Sequence, residues 1–83
     1  MLFVIFTAEG LQEAQQEVLA NQAELWLNPG LKDESDLGQF EQAGILVHAL
    51  PEETDAANEK AVMAALAYVE SQSRDKDIFV EYL

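Results

Sequence analysis

One short stretch of the chain gathers residues that could do chemistry. Residues 45–55, ILVHALPEETD, contain the only histidine, His48, and three carboxylates that follow it closely. Carboxylate oxygens are the ligands that Mg²⁺ and Ca²⁺ prefer, and parallel α/β sheets bind ligands beyond the carboxyl ends of their strands. A further carboxylate follows the first apolar run of the chain. The metal ligands that the sequence offers are Glu9, Glu52, Glu53 and Asp55.

The same residues have an explanation that needs no ligand. His48 alternates with Leu46 and Leu50 in an apolar run, and such a histidine is usually a half-buried structural residue. Acidic side chains at the start of a helix are stabilised by the helix dipole. A catalytic base needs a reactive partner, and the chain has no cysteine, no second histidine and no GxSxG sequence. The sequence therefore favours a non-catalytic protein that needs no cofactor.

The charge balance limits the kind of partner. Sixteen Asp and Glu residues face four Lys and Arg residues, so the formal net charge is −12. Such a surface repels phosphate backbones and anionic membranes and attracts cations and basic proteins. We expect a protein-binding module, an inhibitor or an adaptor, that docks on a basic partner and binds neither nucleic acid nor membrane. The alternative is a small enzyme or cation-binding domain that uses Mg²⁺ or Ca²⁺ at the carboxyl ends of strands one and three.

The spacing of apolar residues predicts four strands and three helices. The strands are short runs rich in Val, Ile, Phe, Trp or Tyr, and the helices show apolar residues three and four apart. Thr7 is placed to cap the first helix, and Thr54 or Asp55 to cap the last. The predicted strands are residues 1–6, 23–28, 44–50 and 78–83, and the predicted helices are residues 9–22, 35–43 and 54–73.

The alternation of these elements predicts one α/β domain over residues 1–83, with a four-stranded, mainly parallel sheet in the order β-α-β-α-β-α-β. Strands one and three carry no carboxylate, so we expect them to be central and adjacent. If the middle helix is absent, strands two and three pair antiparallel and the fold becomes the ferredoxin-like β-α-β-β-α-β. The expected core contains Val4, Ile45, Val47, Val62, Leu66 and Val69.

The predicted edge strands carry the candidate interaction residues. An aromatic residue on the polar face of an edge strand marks an interface or covers the flank of a helix. An apolar strand at the end of the chain could also pair with a second copy to form a homodimer. The chain shows no secretion signal, which favours a cytoplasmic location. The candidate interaction residues are Glu24, Trp26, Glu81 and Tyr82.

Overall fold

The computed structural model describes residues 1–74 and 77–81 of the chain. These residues form four parallel strands and four helices, joined by loops. The parallel pairing of all four strands confirms the α/β prediction and excludes the antiparallel pair of strands two and three that a ferredoxin-like fold requires. In chain order the elements are β1 (Leu2–Ile5), α1 (Ala8–Asn21), β2 (Glu24–Leu27), α2 (Pro29–Glu34), α3 (Gly38–Gln42), β3 (Val47–Ala49), α4 (Glu59–Gln72) and β4 (Ile78–Val80).

The helices cover the sheet on both faces, so the fold has three layers. Alternate residues of a strand point to opposite faces, and each face builds its own core cluster. On one face Phe3 and Leu25 pack with residues of α1 and α3. On the other face Val4 and Trp26 pack with residues of α4. The central strands are buried on both sides, which is why their sequences are almost wholly apolar.

The order of the strands differs from the prediction. The sheet runs β3-β2-β1-β4, so strands one and two are central and strand three lies at an edge. The apolar run GILVHAL predicted a central strand, but only Val47–Ala49 is strand, and Leu46, just before it, is 64% exposed. Glu24 caused the opposite error, because its charge predicted that strand two lies at an edge. It stands at the first position of β2, where its carboxylate accepts a hydrogen bond from the indole N–H of Trp26.

The helices also begin and end differently from their predicted limits. Thr7 caps α1 as expected, because its hydroxyl accepts a hydrogen bond from the backbone N–H of Gly10 at 3.1 Å. The predicted cap of the last helix, Thr54 or Asp55, is wrong. Helix α4 begins at Glu59, and Asn58 is its N-cap, accepting from the N–H of Ala61.

The middle segment forms two short helices. The predicted helix over residues 35–43 corresponds to α3, and α2 precedes it where no helix was predicted. Pro29 stands at the start of α2, where its missing N–H costs nothing. Gly44 follows α3 with a φ of 78°, as expected of a glycine that ends a helix. Within the described residues, no helix is long and apolar enough to cross a membrane.

Most of the predicted core is confirmed. Val4, Ile45, Val62 and Val69 are buried, whereas Val47 and Leu66 are only half-buried. Val47 lies on the edge strand β3, and Leu66 lies at the margin of the α4 contact with the sheet. The largest fully buried apolar side chains are that of Phe40, on α3, and several on the central strands β1 and β2.

Two leucine-to-alanine substitutions test this distribution of burial. Leu25→Ala removes a fully buried side chain from β2, and we expect it to cost about 2–5 kcal/mol. Leu66→Ala removes a half-buried side chain and is expected to cost clearly less. Urea unfolding of both variants measures the difference as a shift of the midpoint. Equal losses of stability would contradict the assigned burial.

Candidate functional site

The carboxyl edge of the sheet is the first place to look for a site, since parallel strands all end there. In this protein the edge is closed by the chain's own side chains. Asn28, directly after β2, is buried and donates hydrogen bonds from its amide to the carbonyls of Phe6, at 3.0 Å, and Thr54, at 2.8 Å. Its carbonyl oxygen accepts from the N–H of Thr54 at 2.8 Å. Asn28 therefore ties the ends of β1 and β2 to the loop that follows β3.

The acidic residues after β3 are engaged with backbone amides. Glu53 accepts a hydrogen bond from the N–H of Gly30, in the first turn of α2. Asp55 accepts from the N–H of Ala57 at 2.9 Å, which closes a turn ahead of α4. These bonds support the structural interpretation of the acidic run, although the helix that it was expected to cap begins later. The sequence did not reveal the role of Asn28.

The four candidate metal ligands do not form one cluster. Glu9 lies in the first turn of α1, whereas Glu52, Glu53 and Asp55 lie in the loop after β3. No group of three or more His, Asp and Glu side chains within residues 1–74 and 77–81 has the arrangement of a metal site. The metal hypothesis stays a prediction, and the geometry gives it no support.

Calorimetric titration with Mg²⁺, Ca²⁺, Mn²⁺ and Zn²⁺ tests that hypothesis. We expect weak heats that Glu9→Gln and Glu52→Gln leave unchanged, because scattered surface carboxylates bind cations only through their summed charge. Glu34→Gln, on α2, is the matched control for the loss of one negative charge. Micromolar binding that disappears in Glu9→Gln or Glu52→Gln but persists in Glu34→Gln would establish a metal site.

Glu81 has a structural role that the sequence did not reveal. Its carboxylate accepts hydrogen bonds from the backbone N–H groups of Phe6, at 2.8 Å, and Thr7, at 2.9 Å, and from the Thr7 hydroxyl. It therefore joins the end of β4 to the start of α1, where the helix dipole favours negative charge. A Cβ at Gly10 would overlap this carboxylate, so the glycine makes room for it.

The coupling between Gly10 and Glu81 is testable with a double-mutant cycle. Gly10→Ala should destabilise the protein, because it displaces Glu81 and leaves the partly buried N–H groups of Phe6 and Thr7 without this partner, at up to about 1–3 kcal/mol each. In the Glu81→Ala background the same substitution should stabilise by up to about 1 kcal/mol, since alanine is the better helix former. Urea unfolding of the four proteins gives the coupling energy. The same effect of Gly10→Ala in both backgrounds would contradict the contact.

His48 belongs to an aromatic stack, and the carboxylate beside it is that of Glu24. Its ring stacks on Trp26 with centroids 4.5 Å apart, and Tyr68, from α4, forms a T-shaped pair with Trp26 with centroids 5.9 Å apart. The His48 Nε2 atom lies 3.6 Å from a carboxylate oxygen of Glu24. Trp26 is only 6% exposed, so its indole covers the flank of α4 and offers little surface to a partner. Tyr82, the fourth candidate interaction residue, lies outside the described residues.

An open, partly apolar surface lies between α1 and β4. Phe79 of β4 stacks on Phe3 of β1 with ring centroids 5.1 Å apart and remains 46% exposed, at the edge of the sheet. Ala14 of α1 lies on the opposite wall, and the exposed Glu13 and Glu17 stand one turn apart along it. We call this surface, defined by these five residues, the acidic groove.

Comparisons with protein-family models, with curated proteins and with solved structures found no match to this chain.

Proposed function

We propose that the protein is a non-catalytic binding module, an inhibitor or adaptor, whose acidic groove receives a basic, amphipathic segment of a partner protein. The observation that carries the proposal is the exposed ring of Phe79 in a groove with two carboxylates along its wall. An apolar residue of the partner would cover Phe79, and its lysine or arginine side chains would reach Glu13 and Glu17.

The rings of Phe79 and Phe3 supply apolar contact area, which charge alone does not provide. Phe79 and Phe3 form a stacked pair whose outer ring is half in solvent. Aromatic residues that become fully covered dominate the energy of protein interfaces. Covering apolar surface contributes about 25 cal/mol for each Å² removed from water.

The acidic wall supplies selectivity for a basic partner. Glu13 and Glu17 are exposed, and the net charge of −12 surrounds them with further negative potential. Complementary charge raises the rate of encounter and disfavours acidic partners, and its effect weakens as salt rises. A cationic side chain over the face of Phe79 would gain an additional attraction of about 0.5–1 kcal/mol.

The carboxyl edge of the sheet is the weaker candidate for binding. Asn28, Glu53 and Glu81 already occupy its backbone amides and carbonyls with their own hydrogen bonds. A ligand there would have to displace these bonds. The acidic groove needs no such displacement.

A labelled amphipathic peptide of lysine and leucine is a suitable probe, and fluorescence anisotropy measures its binding. We expect Phe79→Ser to weaken binding about tenfold, which corresponds to about 1.4 kcal/mol. Glu13→Lys with Glu17→Lys should weaken it further and flatten its dependence on salt. An oligolysine of the same charge should bind less tightly than the amphipathic peptide, because it cannot cover Phe79.

Matched variants at the far side of the molecule serve as controls. Leu46→Ser removes another exposed apolar side chain, next to the edge strand β3, and Glu34→Lys with Glu41→Lys changes the net charge by the same amount on α2 and α3. These controls should bind the peptide more tightly than their groove counterparts. If the two sets of variants lose affinity equally, binding depends on net charge alone and the groove is not the site.

A further inference from the structure

The acidic groove is bounded on one side by a strand edge. β4 pairs with β1 on one of its sides, and within residues 1–74 and 77–81 no strand lies beyond it on the other. An edge strand presents backbone N–H and C=O groups that no neighbouring strand binds. Water binds such groups in the free protein, and an extended segment of another chain can take the place of that water.

The hydrogen bonds between β4 and β1 show which backbone groups face the open side. The first residue of β1 donates its N–H to the carbonyl of Asp77 at 2.9 Å, and the N–H of Glu81 donates to a carbonyl of β1 at 3.0 Å. The backbone groups of successive residues point alternately to the two sides of a strand. Ile78 and Val80, which alternate with these bonded residues, therefore direct their N–H and C=O groups to the open side.

We infer that the partner segment bound in the acidic groove is an extended strand that pairs with β4 and alternates basic with apolar side chains. Its backbone bonds to the outward N–H and C=O groups of Ile78 and Val80. A helical segment would not do this, because its backbone groups bond to each other. The inference rests on the proposed function, since it specifies the class of segment that the groove binds.

The two faces of the sheet beside β4 require this alternation. On one face Ile78 and Val80 pack against the apolar cluster under α4, so the partner side chains next to them are apolar. On the other face lie the exposed ring of Phe79 and the acidic wall of α1, so the partner side chains there are basic. Alternate residues of one strand point to opposite faces, so a single strand meets both requirements.

The spacing of the carboxylates also fits a strand. Glu13 and Glu17 are four residues apart on α1, which is a rise of about 6 Å. Helix α1 connects two parallel strands, so it runs back along the sheet and sets the two carboxylates along the direction of β4. Basic residues two apart on a strand are separated by about 6.6–6.8 Å. The stem of each lysine or arginine can lie over Phe79 while its charged end reaches a carboxylate.

A second copy of this chain fits the same edge poorly. Two β4 strands paired antiparallel about Phe79 would place Asp77 of one copy opposite Glu81 of the other, and like charges directly opposite each other destabilise a sheet. Each copy also carries a net charge of −12. A basic strand is attracted at the positions where a second copy is repelled, so charge selects the basic strand.

Two peptides that differ only in which backbone nitrogens are methylated test the inference. The parent peptide alternates lysine with valine, and the methyl groups are placed on the lysine nitrogens in one derivative and on the valine nitrogens in the other. Only one of these sets of N–H groups faces β4. We expect one derivative to lose at least about tenfold in affinity and the other to stay within about twofold of the parent. Loss with methylated valine indicates antiparallel pairing, and loss with methylated lysine indicates parallel pairing.

Amide hydrogen exchange locates the pairing in the protein. The N–H groups of Ile78 and Val80 should exchange at least about tenfold more slowly when the parent peptide is bound. Val47 and Ala49 are the matched control, because β3 is the other edge of the sheet and the same alternation turns their N–H groups outwards. Their exchange should not change. Protection of Val47 and Ala49 in place of Ile78 and Val80 would overturn the inference.

The failure of the strand and the failure of the proposed function have different outcomes. Equal affinities of the two methylated peptides would overturn the strand. If Phe79→Ser and the double substitution Glu13→Lys with Glu17→Lys still weaken binding of the parent peptide in that case, the acidic groove remains the site and only the conformation of the partner is wrong. If these variants bind the parent peptide as tightly as their controls do, the proposed function fails and the inference fails with it.

Discussion

The burial of two central strands on both faces is the constraint on which the rest of this structure depends. β1 and β2 pair in parallel and place apolar side chains on each side of the sheet, so helices have to cover both. Parallel strands need a crossover segment between them, and α1 provides it while it covers one face. Helix α4 covers the other. Because β3 and β4 lie at the edges, each is covered less completely, and exposed apolar side chains remain there.

The strong negative charge is compatible with this small core because many carboxylates bind backbone amides or face water. Glu53, Asp55 and Glu81 accept hydrogen bonds from N–H groups at turns and at the start of α1. Such bonds satisfy donors that the secondary structure leaves unpaired. The same bonds close the carboxyl edge of the sheet, where α/β proteins usually bind ligands. The surface proposed for a partner therefore lies elsewhere, at the side of the sheet beside β4.

The acidic groove joins an exposed phenylalanine to a wall of carboxylates, and the proposed basic segment would contact both. Salt should weaken that interaction, because it screens the carboxylates.

Local patterns in the sequence determined the parallel α/β class, the Thr7 cap, the glycine after α3 and most of the core, because each depends on residues close together in the chain. The tertiary structure decided the strand order, since burial on both faces depends on which helices cover which strand, and an apolar run such as GILVHAL does not contain that information. It likewise decided the role of Glu81. This residue is far from Thr7 in sequence, and only the pairing of β4 with β1 brings its carboxylate to the amides at the start of α1. The tertiary structure also decided the exposure of Phe79, because the strand order places β4 at an edge of the sheet.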